Sequence, residues 1–417
     1  MSYNALRDKF FEQLITFYDK GILPDVSSTD FNFYLQEHAV RLKEKGLKIK
    51  KEILDLPDDK MDTGISRMKP PYEYNMLYKD CDYKTTFYRD GKVAGKTGRG
   101  KDVLYTYVLN KDQKTDERYT CPNCGHEDNI ESFSNGCPMC GTSFRMKQTY
   151  PCVTGFYTFP NFSGKTGFRY IVAATVTAAV ITGIISGFLT GNNLYVTEEW
   201  GLWPSVGIGA LSGAFFGLLS ALVYYLFFSY IFMIFFMAKL IGTGVKTMSM
   251  GAAKFTKKKI ESEMSVYDKE FSYELFEGKM ISLLRSIVYS DNRSDLSILT
   301  AKEDLSYMDD IVDLDYRGAM KYNGLKQKNG FLHVNVSVYI ESTYYIDNKL
   351  STKNEFYTIE VAKKMDAVED YGFSIHAVNC KNCAGTFDAM HLNKCPHCGT
   401  EYRLFDYDWV IIALNKA

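Results

Sequence analysis

YIVAATVTAAVITGIISGFLT, residues 170–190, carries no charged side chain over roughly the 20 positions an α-helix needs to cross a bilayer's hydrocarbon core. A soluble helix of that length keeps a polar face, and this stretch keeps none. A second uncharged run, VGIGALSGAFFGLLSALVYYLFFSYIFMIFFMA at 206–238, is longer than one crossing requires. At about 1.5 Å per residue it tilts or leaves the membrane as a continuing helix. Only GNNLYVTEEWGLWPS separates the two runs. The pair predicts a transmembrane hairpin over 168–240 with a large soluble region on either side.

Charge orients the hairpin. The connecting loop holds Glu198 and Glu199 and no Lys or Arg, whereas Lys165 and Arg169 precede the first span. Lys239, Lys246, Lys254, Lys257, Lys258 and Lys259 follow the second. Positive flanks stay inside, so both soluble regions are expected in the cytoplasm, with Tyr195, Trp200 and Trp203 at the outer headgroup level. The same lysines, in a basic segment over 241–262, suit contact with anionic lipid headgroups. Small residues recur on the facing sides of the runs, Gly183 and Gly187 on the first and Gly209, Gly213 and Gly217 on the second. Such a stripe lets helix backbones approach closely, within one hairpin or between copies. Neither run holds an ionisable residue, the usual mark of a substrate path, so transport by this chain alone is not expected.

The 417 residues allow two or three domains, and a formal net charge of −1 argues against wholesale polyanion binding. The first residues, MSYNALRDKFFEQ, hold no signal-peptide hydrophobic region, so the first span is expected to act as signal anchor. Eight of the ten cysteines form four Cys-x-x-Cys pairs. Cys121 and Cys124 pair with Cys137 and Cys140, and Cys380 and Cys383 with Cys395 and Cys398. In a reducing compartment two such knuckles bring four thiolates to one tetrahedral zinc, which predicts two structural zinc ions. Four cysteines close the shell that a catalytic zinc leaves open. His126 and His397 sit beside ligands as surface neighbours, and Cys81 and Cys152 fall outside the scheme.

Helices are expected over 2–22, where Gly21 is a stop signal, and after a cap near Ser28. Short strands follow, with Asp90-Gly91 as a hairpin turn. GKVAGKTGRGK misses the phosphate-loop spacing by one residue and lacks a helix start after it. Past the membrane, apolar periodicity predicts a helix over 261–290 and another over 301–311. Long strands then follow, among them FLHVNVSVYIESTYYI at 331–346, whose alternation marks one buried face. The chain is α+β, helices packed on a curved antiparallel sheet. Each ribbon leads through Cys-Gly-Thr to an aromatic-rich strand, VTGFYTF or DYDWVIIAL, which suggests an internal duplication.

FSYELFEGKMISLLRSIVYSD, DLSYMDDIVDLDYRGAMKYNG, the long strands, the ribbon and the closing DYDWVI resemble bacterial membrane proteins whose domain is similar to the mitochondrial inner-membrane translocase tether. The resemblance covers about residues 265–414. It implies the cone-shaped fold of nuclear transport factor two and a membrane-associated scaffold, here in a bacterial inner membrane, that recruits protein partners. The chain departs from the mitochondrial relative in having its own hairpin and ribbons, and no catalytic residues come with the likeness. The regions expected are therefore 1–118, a ribbon with closing strand at 119–160, the hairpin, the basic segment, a tether-like domain at 263–378 and a second ribbon at 379–417. No enzymatic role is expected, although Asp309, Asp310, Asp313, Asp315, His333 and His376 are the acid–base candidates such a cone would offer. An oligomeric channel or translocase subunit is one alternative. A nucleic-acid-binding ribbon protein is the other, and Glu127, Asp128, Glu131, Asp388 and Glu401 on the ribbons speak against it.

Overall fold

A computed structural model describes the chain apart from residues 1, 56–62, 70–71, 112–117, 122, 130–131, 133–136, 142–149, 161–163, 243–249, 270, 301–302, 368–377, 381, 384 and 417. The chain forms two compact units: residues 162–247, and residues 1–161 together with 248–417.

The chain starts with α1 (Tyr3–Lys20), whose first turn is capped by Ser2 Oγ accepting from the Ala5 amide. Gly21 ends it in the left-handed region, at φ 74°, where a side chain would be strained. Helix α2 (Thr29–Glu44) is capped by Ser28, as its spacing predicts. Strands β1 (Lys48–Asp55), β2 (Thr63–Lys69), β3 (Tyr72–Arg89), β4 (Lys92–Lys111) and β7 (Cys152–Pro160) form an antiparallel sheet ordered β1-β3-β4-β7, with β2 sharing an edge of β3. Asp90 and Gly91 both take positive φ in the β3–β4 turn, and GKVAGKTGRGK is the start of β4. The first ribbon, with β5 (Arg118–Thr120) and β6 (Glu127–Asn129), is inserted between β4 and β7.

The hairpin unit consists of α3 (Gly164–Val196) and α4 (Leu202–Gly242), which contain two stretches long and apolar enough to cross a membrane, Tyr170–Val196 and Leu202–Ile234. The five glycines form the seam between them. A Cβ built on Gly213 would stand 2.5 Å from the Gly183 carbonyl, and one on Gly187 2.8 Å from the Gly209 carbonyl. Thr182 Oγ1 and Tyr224 OH, 2.8 Å apart, and Thr190 Oγ1 and Ser212 Oγ, 3.0 Å apart, add polar ties between the helices.

The predicted 261–290 helix is two helices, α5 (Met250–Met264) and α6 (Tyr273–Tyr289). Turns at Tyr267 and Phe271 separate them, and the Ser265 hydroxyl donates to the Ser262 carbonyl just past the end of α5. Among the described residues of the helix expected over 301–311, one 3₁₀ turn forms, Ser306–Met308, with Asp304 accepting from the Ser306 amide ahead of it. Strands β8 (Ile311–Lys328), β9 (Phe331–Ile346), β10 (Lys349–Lys364) and β13 (Val410–Lys416) form a curled antiparallel sheet ordered β13-β10-β9-β8. Leu332, Val334, Val336, Val338 and Ile340 are buried along β9, the alternation its sequence predicts. The second ribbon, with β11 (Val378–Asn379) and β12 (Thr386–Phe387), sits between β10 and β13.

Both soluble stretches therefore run helices, antiparallel strands, ribbon, closing strand, with four strands ahead of the first ribbon and three ahead of the second. A backbone detail repeats with them. The Val26 carbonyl and the Ser28 amide bracket Val153 on β7, and the Ile298 carbonyl and the Thr300 amide bracket Ile411 on β13, each at 2.8–2.9 Å. The segments 1–118, 119–160, 263–378 and 379–417 all belong to one unit with one core, in which Leu6, Phe10, Leu14 and Val153 pack in the same cluster as Met280, Leu284, Val336 and Ile359.

Candidate metal centres and the buried contacts that join the repeats

Each ribbon gathers its four sulfurs because Cys-x-x-Cys turns back on itself. The Gly125 amide donates to the Cys121 carbonyl and the Gly141 amide to that of Cys137, and Gly399 does the same to Cys395. Gly125, Gly141 and Gly399 take φ near +70°, which those tight turns require. The four Sγ atoms of each cluster lie within 4.8 Å of one another. Cys121 and Cys140 are 3.8 Å apart, and Cys124–Cys137, Cys380–Cys398 and Cys383–Cys395 are each 3.6 Å apart. A tetrahedral ion with metal–sulfur bonds of about 2.3 Å sets its ligands about 3.8 Å apart, so both clusters fit such an ion.

Electrostatics ask for the same cation. The Thr400 hydroxyl and amide bring the Cys398 thiol down to about 6. Although the Gly385 amide favours a Cys383 thiolate, the Cys398 sulfur, lost hydration and the Cys395 sulfur push that thiol up to about 12. Cys124 is likewise pushed up to about 12, lost hydration and its neighbouring sulfurs outweighing the His126 amide. Four close thiolates cannot all ionise without a positive ion among them. Two four-cysteine groups able to hold metal are thus in place, and with four protein ligands such an ion is held structurally rather than opened to substrate. Neither His126 nor His397 belongs to a cluster.

The remaining charged chemistry lies between the repeats. Lys51 on β1 is buried, 3.5 Å from Asp313 on β8 and donating to the Tyr83 hydroxyl at 2.9 Å. His38 on α2 is fully buried, its Nε2 2.8 Å from the Val312 carbonyl and 3.8 Å from Asp313, its Nδ1 2.8 Å from Tyr18 OH. Burial and the Lys51 charge hold the His38 imidazole down to about 3. Burial lowers Lys51, but Asp313 and the neighbouring hydroxyls more than reverse it and hold the ammonium well above its ordinary value. Burial raises Glu277, which accepts from the hydroxyls of Tyr107, Tyr273 and Tyr316. Arg317 donates to Thr158 and to Glu341.

The acid–base candidates are thus dispersed. Asp309 pairs with Arg293, Asp310 with Lys45, and His333 with Glu360 across the β9–β10 pair. Asp313 is buried in strand β8, and Asp315, two residues on in the same strand, is half-buried. His376 lies outside the described residues. The histidine that does meet Asp313 is His38, which periodicity alone does not single out. It falls on the apolar stripe of α2 with Phe31, Leu35 and Leu42, just as Lys51 falls on the inward phase of β1 with Leu47 and Ile49. Among the basic flank, Lys257 is engaged by Glu274 and Glu261, while Lys258 and Lys259 are exposed on α5. Lys246 lies outside the described residues, as do the side chains of Lys239 and Lys254.

No protein-family model, no curated protein and no solved structure matches this chain.

Proposed function

We propose that this chain is a membrane-anchored adaptor of the bacterial inner membrane, with a cytoplasmic body stapled by two structural zinc ions and offered to protein partners. The observation that carries the reading is the place of the hairpin. It interrupts a single body completed by the residues before and after it, so both ends of the hairpin return to one side. The charge asymmetry of the loop and flanks makes that side the cytoplasm, where thiols stay reduced for metal. Exposed Lys258 and Lys259, which follow the second crossing in the chain, suit anionic headgroups. The tether-like resemblance supports a scaffold, and the closed four-cysteine shells favour a structural over a catalytic metal.

The glycine seam is filled by the partner helix of the same hairpin, which leaves the oligomeric channel or translocase subunit with less support. The acids on the ribbons leave the nucleic-acid reading with less still. Membrane-impermeant thiol labelling of intact cells is expected to modify Glu198→Cys and to spare Arg403→Cys until the membrane is opened. Crosslinking from the whole chain in native membranes should recover proteins that the hairpin alone does not. Labelling of Arg403→Cys from outside, or identical captures by chain and hairpin, would overturn the reading.

A further inference from the structure

The basic stretch that opens β4 is no phosphate loop, but the sheet register sets other lysines beside it. Residues directly opposite one another in an antiparallel pair share a face. One row across β1, β3 and β4 is Lys48, Tyr88 and Val93, and the next is Lys50, Thr86 and Lys96. Beyond them Glu52 stands opposite Lys84, and Leu54 opposite Asp82. The alternate residues, Ile49, Lys51, Tyr83 and Phe87, are buried in the body. The face of the rows is thus turned outward here, with Lys48, Lys50, Lys84 and Lys96 all exposed. Its two acids are engaged within the face, Glu52 accepting from Lys50 and Asp82 from Lys84, each at 2.8 Å. Lys50 holds the Glu52 carboxyl below its ordinary value and Lys84 and Lys96 add to the effect, so three ammonium groups surround one carboxylate. Four lysines therefore face two acids in a chain whose formal net charge is −1. Val93 stands among them 54% exposed.

The direction of the chain says what this face meets. β7 completes the same sheet antiparallel to β4, from Cys152 opposite Leu109 to Pro160 opposite Asp102. Its last residues head toward the end of β4 that bears the lysine rows, and the next element, α3, begins at Gly164. In the membrane-anchored reading, on which this inference rests, the chain leaves the sheet for the bilayer at its basic end. We infer that the face carrying Lys48, Lys50, Lys84 and Lys96, with Val93 beside them, is a contact surface for anionic lipid headgroups. Ammonium groups on long flexible stems suit a layer of mobile phosphates, and an exposed apolar side chain among them suits the acyl boundary just below. An acidic protein or a nucleic acid meets the same charges, but the heading of β7 and the exposed Val93 favour the lipid.

The test uses the full chain reconstituted in vesicles of phosphatidylcholine alone or mixed with phosphatidylglycerol. An environment-sensitive fluorescent amino acid is placed at Val93 or, for comparison, at Ile22, which is 61% exposed beyond the end of α1. A quencher attached to lipid headgroups reads contact. Quenching at Val93 is expected to be at least about threefold stronger in the phosphatidylglycerol vesicles, because charges at a membrane surface act within a Debye length. It should fall to the phosphatidylcholine level in high salt and in Lys48→Glu/Lys96→Glu, with tryptophan emission unchanged as the sign of an intact body. Ile22 should read alike in both vesicles. A chain that a carbonate wash strips from the vesicles would remove the anchored reading itself. An integral chain whose Val93 is quenched alike in both vesicles, or no more than Ile22, would overturn the lipid contact and leave the anchor. So would a response at Val93 that requires added RNA or polyglutamate, or one indifferent to the charge reversal.

Discussion

Replacing Lys51 by methionine should be among the most damaging single changes in the soluble body. The substitution keeps the length and apolar stem of the side chain and deletes only the ammonium. Both partners are nearly sealed from water, Lys51 at 3% side-chain exposure and Asp313 at 2%, 3.5 Å apart. Removing one member leaves a buried carboxylate without its counter-charge, which costs about 3–5 kcal/mol. Taking an unfolding slope of about 3 kcal/mol/M, the midpoint in urea should fall by about 1 M or more. Trp409, at 1% exposure, reports the body, while Trp200 in the loop and Trp203 in the first turn of α4 are already exposed in the folded chain. Tryptophan emission of the zinc-loaded protein in detergent therefore reads the transition. Because a buried ion pair can be exchanged for apolar residues at little cost, adding Asp313→Leu to Lys51→Met should restore at least half of the loss. A drop under about 1 kcal/mol for Lys51→Met, a value typical of exposed pairs, would refute the claim that this contact ties the repeats together. So would a double variant no more stable than the single one.

Other outcomes follow from the same contacts. His38 is neutral in the fold and has an ordinary unfolded pKa near 6.5, so the unfolded chain binds the extra proton and stability falls as pH drops below about 6.5. Between pH 6.5 and 4.5 the body should lose about 2–3 kcal/mol more than His38→Gln does, read as the difference between their midpoints; parallel curves would contradict the assignment. Cys124→Ser and Cys383→Ser should each reduce bound zinc from two ions to one by elemental analysis. Only Cys383→Ser should also lower the unfolding midpoint of the body substantially, since Phe387 and Met390 carry the second ribbon into the core. Gly213→Leu should push α3 and α4 apart and abolish disulfide crosslinking between cysteines placed across the seam, whereas Gly207→Ala, with open space at its Cβ, should leave it intact.

Where one physical signal dominated, the sequence was legible. Uncharged length marked both stretches apolar enough to cross a membrane, cysteine spacing marked both four-cysteine groups able to hold metal, and period-two alternation marked the buried face of β9. Helix boundaries around 265–272 and 301–310 were not, because the apolar spacing there serves burial in either conformation while local Ser and Asp hydrogen bonds decide the backbone. The shared core was hidden for another reason. Apolar faces on α2 and α6 announce that something covers them, but the two helices cover each other from some 250 residues apart, with the apolar hairpin between them in the chain. The same distance concealed His38, Lys51 and Asp313, each of which reads alone as a polar residue misplaced on an inward phase.

Under the membrane-anchored reading proposed above, a body assembled from both flanks of the apolar hairpin has a consequence for biogenesis. While the ribosome is still making the hairpin, the amino-terminal stretch already exists, with Tyr34 and His38 on α2 awaiting Tyr289 and Val312, which have not been synthesised. The body can close only after both crossings are made. A chain that threads the bilayer once leaves its two repeats in different compartments and never closes, so the fold itself acts as a check on correct insertion.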